Sequence, residues 1–185
     1  MDTETLKLRS VRVERYVTPL REGGSMPAIV EADDLGTYVL KFRGAGQGVR
    51  ALIAEIIAGG IARALGLPLP EIVLVHLNGD LARTESDPEI QDLIRASDGL
   101  NVGVDYLPGG TKLEPAVAGV DSDFASRLVW FDTLVSNVDR TARNTNMLVC
   151  KKQPWLIDHG ASLTFHHAWN GTVADPAKPF APSSE

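Results

Sequence analysis

Near the start of the chain, Val11 and Val13 alternate with Arg and Glu neighbours, and this period of two predicts a strand over residues 10–17. The same pattern predicts strands at 28–32, 37–42 and 71–77. Residues 51–67 are the most apolar stretch, interrupted by Glu55 and Arg63 and closed by Gly66 with Pro68 and Pro70 beyond it. That predicts a helix of a soluble domain over 51–65, with no need of a membrane span. A short helix is expected at 88–96 with Ile90, Leu93 and Ile94 inward, and an amphipathic one at 121–138. In the latter, Asp121 or Ser122 can cap the start, and Phe124, Leu128, Phe131, Leu134 and Val135 recur at helical spacing. Residues 101–107 read as a strand running into the break Pro108-Gly109-Gly110. Met147-Leu148-Val149 and Trp155-Leu156-Ile157 flank a Lys-Lys-Gln-Pro turn and predict a paired hairpin.

At 185 residues the chain is long enough for one good core or for two small lobes. With 18 Lys and Arg against 24 Asp and Glu the net charge is −6, so the sequence carries no broad electrostatic footprint for nucleic acid, and no nucleic-acid partner is expected. The single Cys150 cannot form an internal disulfide, and its place after Val149 in a predicted strand favours a buried structural thiol, which fits a reducing cytoplasm. The first ten residues lack the apolar run of a secretory signal, so a cytoplasmic location is expected, without a membrane partner. The sequon Asn170-Gly171-Thr172 has no meaning in that compartment. From Asn170 onward Gly, Pro, Ser and Ala dominate, and 170–185 is expected to be a disordered tail.

The chemistry concentrates in Asp139-Arg140-Thr141-Ala142-Arg143-Asn144, followed by Asp158-His159-Gly160 at the end of the predicted hairpin. A nucleotide triphosphate carries its charge through Mg²⁺, a hard cation that takes oxygen ligands, and a hydroxyl nucleophile needs a carboxylate to accept its proton. Two Asp and one Asn meet that demand, although Asp and Asn also recur in turns for backbone reasons. Upstream, Lys41 lies in an otherwise apolar strand, where a cation needs solvent or a negative partner. Glu55, on the helix side shared with Leu52 and Gly59, is the expected partner; the alternative puts both residues on solvated faces. Gly23, Gly24 and Ser25 would let backbone N–H groups approach a phosphate, or form an ordinary hairpin turn. Gly44-Ala45-Gly46-Gln47-Gly48 lacks the spacing of a dinucleotide fingerprint and reads as a flexible strand-to-helix connection. Backbone groups at Asp105, Tyr106 and Leu107 would read an adenine edge if this is a lobe hinge, and otherwise simply end a strand. His166 and His167 are adjacent in a segment expected to be extended, so they point apart, and a structural role is favoured over shared metal ligation.

With Lys41, Glu55, Asp139, Asn144 and Asp158 in this order, the chain resembles the HipA-like kinases, a bacterial branch of the protein-kinase-like fold. The resemblance is carried by YVTPLREGG at 16–24, YVLKFRGAGQG at 38–48, FDTLVSNVDRTARNTN at 131–146 and WLIDHG at 155–160, and covers about residues 10–169. It implies an α+β bilobal fold, with a small N-terminal β-sheet lobe bearing one helix over 1–107 and an incomplete helical C-terminal lobe over 108–169. It implies an enzyme that binds ATP with Mg²⁺, or Mn²⁺, and transfers a phosphoryl group to a hydroxyl of a protein or small-molecule acceptor. By that analogy Asp139 is the catalytic base, Asn144 and Asp158 hold metal, Lys41 holds phosphates, and Arg143 neutralises the transferring group. His159 stands where such kinases usually have Phe, and Arg140 follows the Asp, an order also similar to phosphoinositide kinases. Only 25 residues follow Gly160, so a C-terminally truncated form is expected. The alternative function is a nucleotide-binding module without turnover. A metallohydrolase using Asp139, Asp158 and His166 leaves Lys41 and Glu55 unexplained.

Overall fold

Alternating side chains close a small barrel. In the computed structural model, which describes residues 7–21, 25–114 and 121–168, β1 spans Ser10–Pro19, β2 Ala28–Ala32 and β3 Thr37–Lys41. Two further strands, β4 at Ile72–Leu77 and β5 at Gly99–Asp105, complete the order β1-β2-β3-β5-β4, with β4 pairing parallel to β1. The inward positions of β2 (Ala28, Val30, Ala32) and β3 (Tyr38, Leu40) meet Val73, Val75 and Leu77 of β4 in one apolar core. Burying a side chain of this kind stabilises the fold by roughly 1.5–3 kcal/mol for each Val or Leu. Gly103 on β5 is needed where these chains converge, because a Cβ there would lie 2.6 Å from Val75 Cγ2.

Helix α1 spans Gly48–Ala64, three residues earlier at its start than the apolar run alone predicts. It ends in a Schellman arrangement: Gly66 is left-handed, its N–H donates to Arg63 O, and the Leu67 N–H donates to Ala62 O. The short α2, Pro88–Ala96, is capped by Asp87, whose side chain accepts from the Glu89 N–H, and buries Ile90 and Ile94 as predicted. The strand-to-helix connection after β3 is stitched to the corner between α2 and β5. Arg43 N–H donates to Asn101 Oδ1 at 2.8 Å and Gly44 N–H to Ser97 Oγ at 3.1 Å. The buried Asn101 amide also donates to Ser97 O and Gly99 O, so it is satisfied and structural.

Chain contacts divide the protein into two units, one taking the chain up to Leu52 with Pro70–Leu107, the other Ile53–Leu69 with the chain from Pro108 on. In the second unit, β6 (Thr111–Lys112), β7 (Met147–Cys150) and β8 (Gln153–Leu156) form an antiparallel sheet in the order β6-β7-β8. Lys151 and Lys152 both have positive φ, the signature of a two-residue hairpin turn. Cys150 is buried, as expected of a structural thiol. Helix α3 runs over Ser122–Val135, shorter than the 121–138 that its pattern predicts. Leu134, expected inward, is exposed. The segment holding His166 is a 3-10 turn over Thr164–Ala168, not an extended stretch. The tail expected at 170–185 lies outside the described residues. Among those described, no helix is long and apolar enough to cross a membrane.

A polar cluster fastens the barrel's surface. The Tyr38 hydroxyl donates to Asp34 Oδ2 at 2.7 Å, Arg9 Nη1 donates to the same oxygen at 2.8 Å, and the Gly36 N–H donates to Oδ1 at 2.9 Å. The Tyr38 hydroxyl first, and then Arg9, hold the Asp34 carboxyl down at about 2. Since the unfolded value is ~3.9, the stabilisation is present in full above that value and is lost as pH falls through about 2. Asp34→Asn is expected to cost about 1 kcal/mol at neutral pH, allowing for solvent screening. The variant should lose less stability than wild type in denaturant melts taken at pH 7, 4 and 2.5. Equal losses in the two proteins would contradict the assignment.

Candidate functional site

The loop 137–146 begins where α3 is made to stop. Ser136 adopts the left-handed conformation, its N–H returns to Thr133 O, and the Asn137 N–H returns to Asp132 O. This places the Asn137 side chain against the helix it has just left. Its Nδ2 donates to Asp132 Oδ1 at 3.1 Å, while its Oδ1 accepts the Asp139 N–H at 3.1 Å.

Arg140 then turns inward, 5% exposed, and its Nε lies 2.8 Å from Asp132 Oδ2. Its Nη1 donates to the carbonyls of Thr145, at 3.0 Å, and Asn146, at 2.6 Å. Burial pushes the Asp132 carboxyl upward, opposed by Arg140 and then Asn137. Two buried charges justify their desolvation only through good geometry, and here a single guanidinium nitrogen, Nη1, serves both carbonyls at the far end of the loop, while Nη2 is buried without a hydrogen-bond partner among the described residues. Within the loop, the Thr141 N–H donates to Asn144 O, and the Asn144 N–H to Thr141 Oγ1. Thr145 Oγ1 donates to Leu113 O beside β6.

The residues predicted as base and as metal ligand, Asp139 and Asn144, are in direct contact. Asn144 Nδ2 donates to Asp139 Oδ2 at 3.0 Å, and Asn146 Nδ2 donates to the same oxygen at 2.8 Å. Arg143 is exposed on this loop, and its carbonyl accepts from Lys112 Nζ.

Asp158 sits two residues beyond β8, exposed and left-handed at φ 57°, a conformation that Asp and Asn tolerate better than most residues. Its two neighbours are pinned. The Ile157 N–H donates to Asn146 O at 2.9 Å, and the His159 N–H donates to Glu55 Oε2 at 2.8 Å. Glu55 and His159 are each 1% exposed, Nδ1 lies 3.5 Å from Glu55 Oε1, and the imidazole meets Phe131 edge to face at 5.8 Å. His159 is thus held in the interior of its unit by Phe131 and Glu55.

The other predicted residues lie in the barrel unit. Lys41 ends β3, half-buried opposite Val102. Ser25 lies in the β1–β2 loop, closed by the Leu20 N–H on Pro27 O at 2.7 Å, while Gly23 and Gly24 lie outside the described residues. The N–H groups of Asp105 and Tyr106 are already given to Glu71 O and Thr37 O. Of the predicted adenine-reading stretch, that leaves the Leu107 N–H as the donor to consider. Burial, with Glu71 nearby, raises the Asp105 carboxyl. Among the described residues, no group of three or more His, Cys, Asp and Glu could hold a metal ion.

The model of the HipA-like kinase family matches residues 13–173. The chain belongs to the HipA-like kinase family. The match runs from β1 past the last described residue and includes Lys41, Glu55, Asp139, Asn144 and Asp158. No curated protein matches the chain. Membership points to a kinase-type phosphotransferase.

Sequence reasoning missed Asp132, Asn137 and Asn146. Asp132 is a charged residue in a helical run, Asn137 follows the helix end, and only the burial of both, seen in three dimensions, separates them from ordinary surface residues. Asn146 had one available signal, a second amide two residues after Asn144. Replacing Arg140 with Met would leave the Asp132 carboxylate buried without its cation. Arg140→Met is expected to lower unfolding stability by about 3–5 kcal/mol, read from equilibrium denaturant melts; a loss below about 1 kcal/mol, the range of an exposed pair, would mean that the pair is solvated.

Proposed function

We propose that this HipA-like kinase binds ATP with Mg²⁺, or Mn²⁺, and transfers the γ-phosphoryl group to a hydroxyl of a protein or small-molecule acceptor. The observation that carries the proposal is the Asp139 carboxylate held by Asn144 on a loop that the Asp132–Arg140 pair fixes from below. In the transfer, the acceptor oxygen bonds to the γ-phosphorus, the bond from that phosphorus to the β,γ-bridging oxygen breaks, ADP leaves, and the hydroxyl proton passes to Asp139. Among the described residues, Asp139 Oδ1 accepts no hydrogen bond, so this oxygen is the one assigned to the proton.

Asn144 and Asp158 supply hard oxygen donors and fit a Mg²⁺ ion by their chemistry: the Asn144 Nδ2 is committed to Asp139, which leaves its carbonyl oxygen as the donor. A Mg²⁺ ion held by these two residues would neutralise charge on the phosphates. Asp158 has its backbone held between two pinned amides, which limits where its carboxylate can reach. Glu55 enters through its hold on His159. Lys41 and Arg143 are assigned to the phosphates, Ser25 with Gly23 and Gly24 to a backbone cradle, and Leu107, with Asp105 and Tyr106 beside it, to the adenine edge.

A ligand that binds only the folded protein raises its melting temperature, so ATP is expected to stabilise the protein when Mg²⁺ is present and not when it is chelated. Asp158→Asn should remove most of that shift, and because Asn tolerates the same left-handed backbone, the substitution removes charge without adding strain. An ATP shift indifferent to chelator, or equal in wild type and variant, would overturn the metal assignment.

A further inference from the structure

We infer that Asn146 is the residue that positions the Asp139 carboxylate for proton acceptance, an inference that rests on the reading of Asp139 as the base. Two amides share Asp139 Oδ2, but they are not equivalent. Asn144 is half-buried and is assigned above to the metal, where its side chain has a second task. Asn146 is 8% exposed and held from both directions: its carbonyl accepts Arg140 Nη1 at 2.6 Å and the Ile157 N–H at 2.9 Å. Its Nδ2 reaches Asp139 at 2.8 Å, the shorter of the two amide contacts.

The consequence is directional. A planar carboxylate with one oxygen fixed has its other oxygen fixed as well, so the Asn146 amide aims Oδ1 away from the loop and toward the acceptor. The chain of contacts is continuous from Asp132 through Arg140 and the Asn146 backbone to the Asn146 side chain and the base. The backbone at Asn146 is left-handed, φ 45°, which an amide side chain tolerates and which places Nδ2 over its own loop. It also dictates the test. Alanine would add strain at positive φ, whereas glycine removes the side chain without it.

The probe is Mg·ATP with water as acceptor. Water oxygen bonds to the γ-phosphorus as the bond to the bridging oxygen breaks, ADP and phosphate are released, and the water proton goes to Asp139. Asn146→Gly is expected to lower kcat for phosphate release about 10- to 100-fold, the scale of a misplaced catalytic group, and to leave KM for ATP within about twofold. Asn146→Asp, which keeps the shape and loses the donor, should fall at least as far, and serves where the glycine variant is too unstable to assay. Independently of activity, one Asn146 side-chain amide proton in the nucleotide-free protein should show a downfield, slowly exchanging NMR signal that Asp139→Asn shifts. A kcat within twofold of wild type in both variants would overturn the positioning role while leaving the kinase reading in place. An amide signal indifferent to Asp139→Asn would also overturn it, since the contact would then be absent in solution. Wild type that releases no more phosphate than buffer would instead remove the reading of Asp139 as base, and this inference with it.

Discussion

The buried ion pair between Asp132 and Arg140 is the constraint on which the candidate site depends. A helix end and a loop have no reason of their own to stay in register, and short loops rich in polar residues normally sit in solvent. Here a guanidinium whose Nη1 holds two carbonyls at the loop's far end is neutralised by a carboxylate from the helix. Asn137 closes the same carboxylate and passes a hydrogen bond on to the Asp139 backbone. Removing either charge leaves the other buried, so the loop's geometry and the unit's stability rise or fall together.

The same logic reaches Asp158 by a different route. Its backbone is strained into the left-handed region, and the two flanking N–H groups are the restraints that hold it there, one on the loop's last residue and one on Glu55. A buried glutamate that accepts a backbone N–H is an effective restraint because leaving either group unmade would cost more than a surface bond gains. The barrel unit is organised otherwise, by apolar alternation and a glycine, Gly103, where the inward chains meet, with a polar cluster at Arg9 and Asp34 on its surface and the buried Asn101 tying the connection after β3 to β5.

Local patterning made β2, β3, α2 and the β7–β8 hairpin legible in the sequence, because in each the period and the flanking cap or turn agree. Helix α3 was overextended because Val138 continues the apolar pattern, while what ends the helix is the left-handed Ser136 and the return of Asn137 to Asp132, a tertiary need that periodicity does not record. The start of α1 at Gly48 was missed for the opposite reason, since Gly48 and Arg50 carry no apolar signal. Closure of the barrel was not legible at all: the parallel pairing of β1 with β4 joins residues some sixty positions apart. At the site, the residue types and spacing of Asp139 and Asn144 were readable, and their contact is observed. The supports were not, because Arg140 in a sequence looks like any surface arginine until its burial is known.

Asp139 is where these strands of reasoning meet, and one comparison tests its role most directly: wild type against Asp139→Asn, each measured for ATP affinity and for label transferred from γ-labelled ATP to a cytoplasmic extract in Mg²⁺. A base that acts in the transition state contributes little to ground-state binding, so affinity is expected to stay within about threefold while transfer falls by about 100-fold or more. Transfer that persists in Asp139→Asn, or affinity that collapses along with it, would contradict the assignment of Asp139 as the group that takes the acceptor's proton.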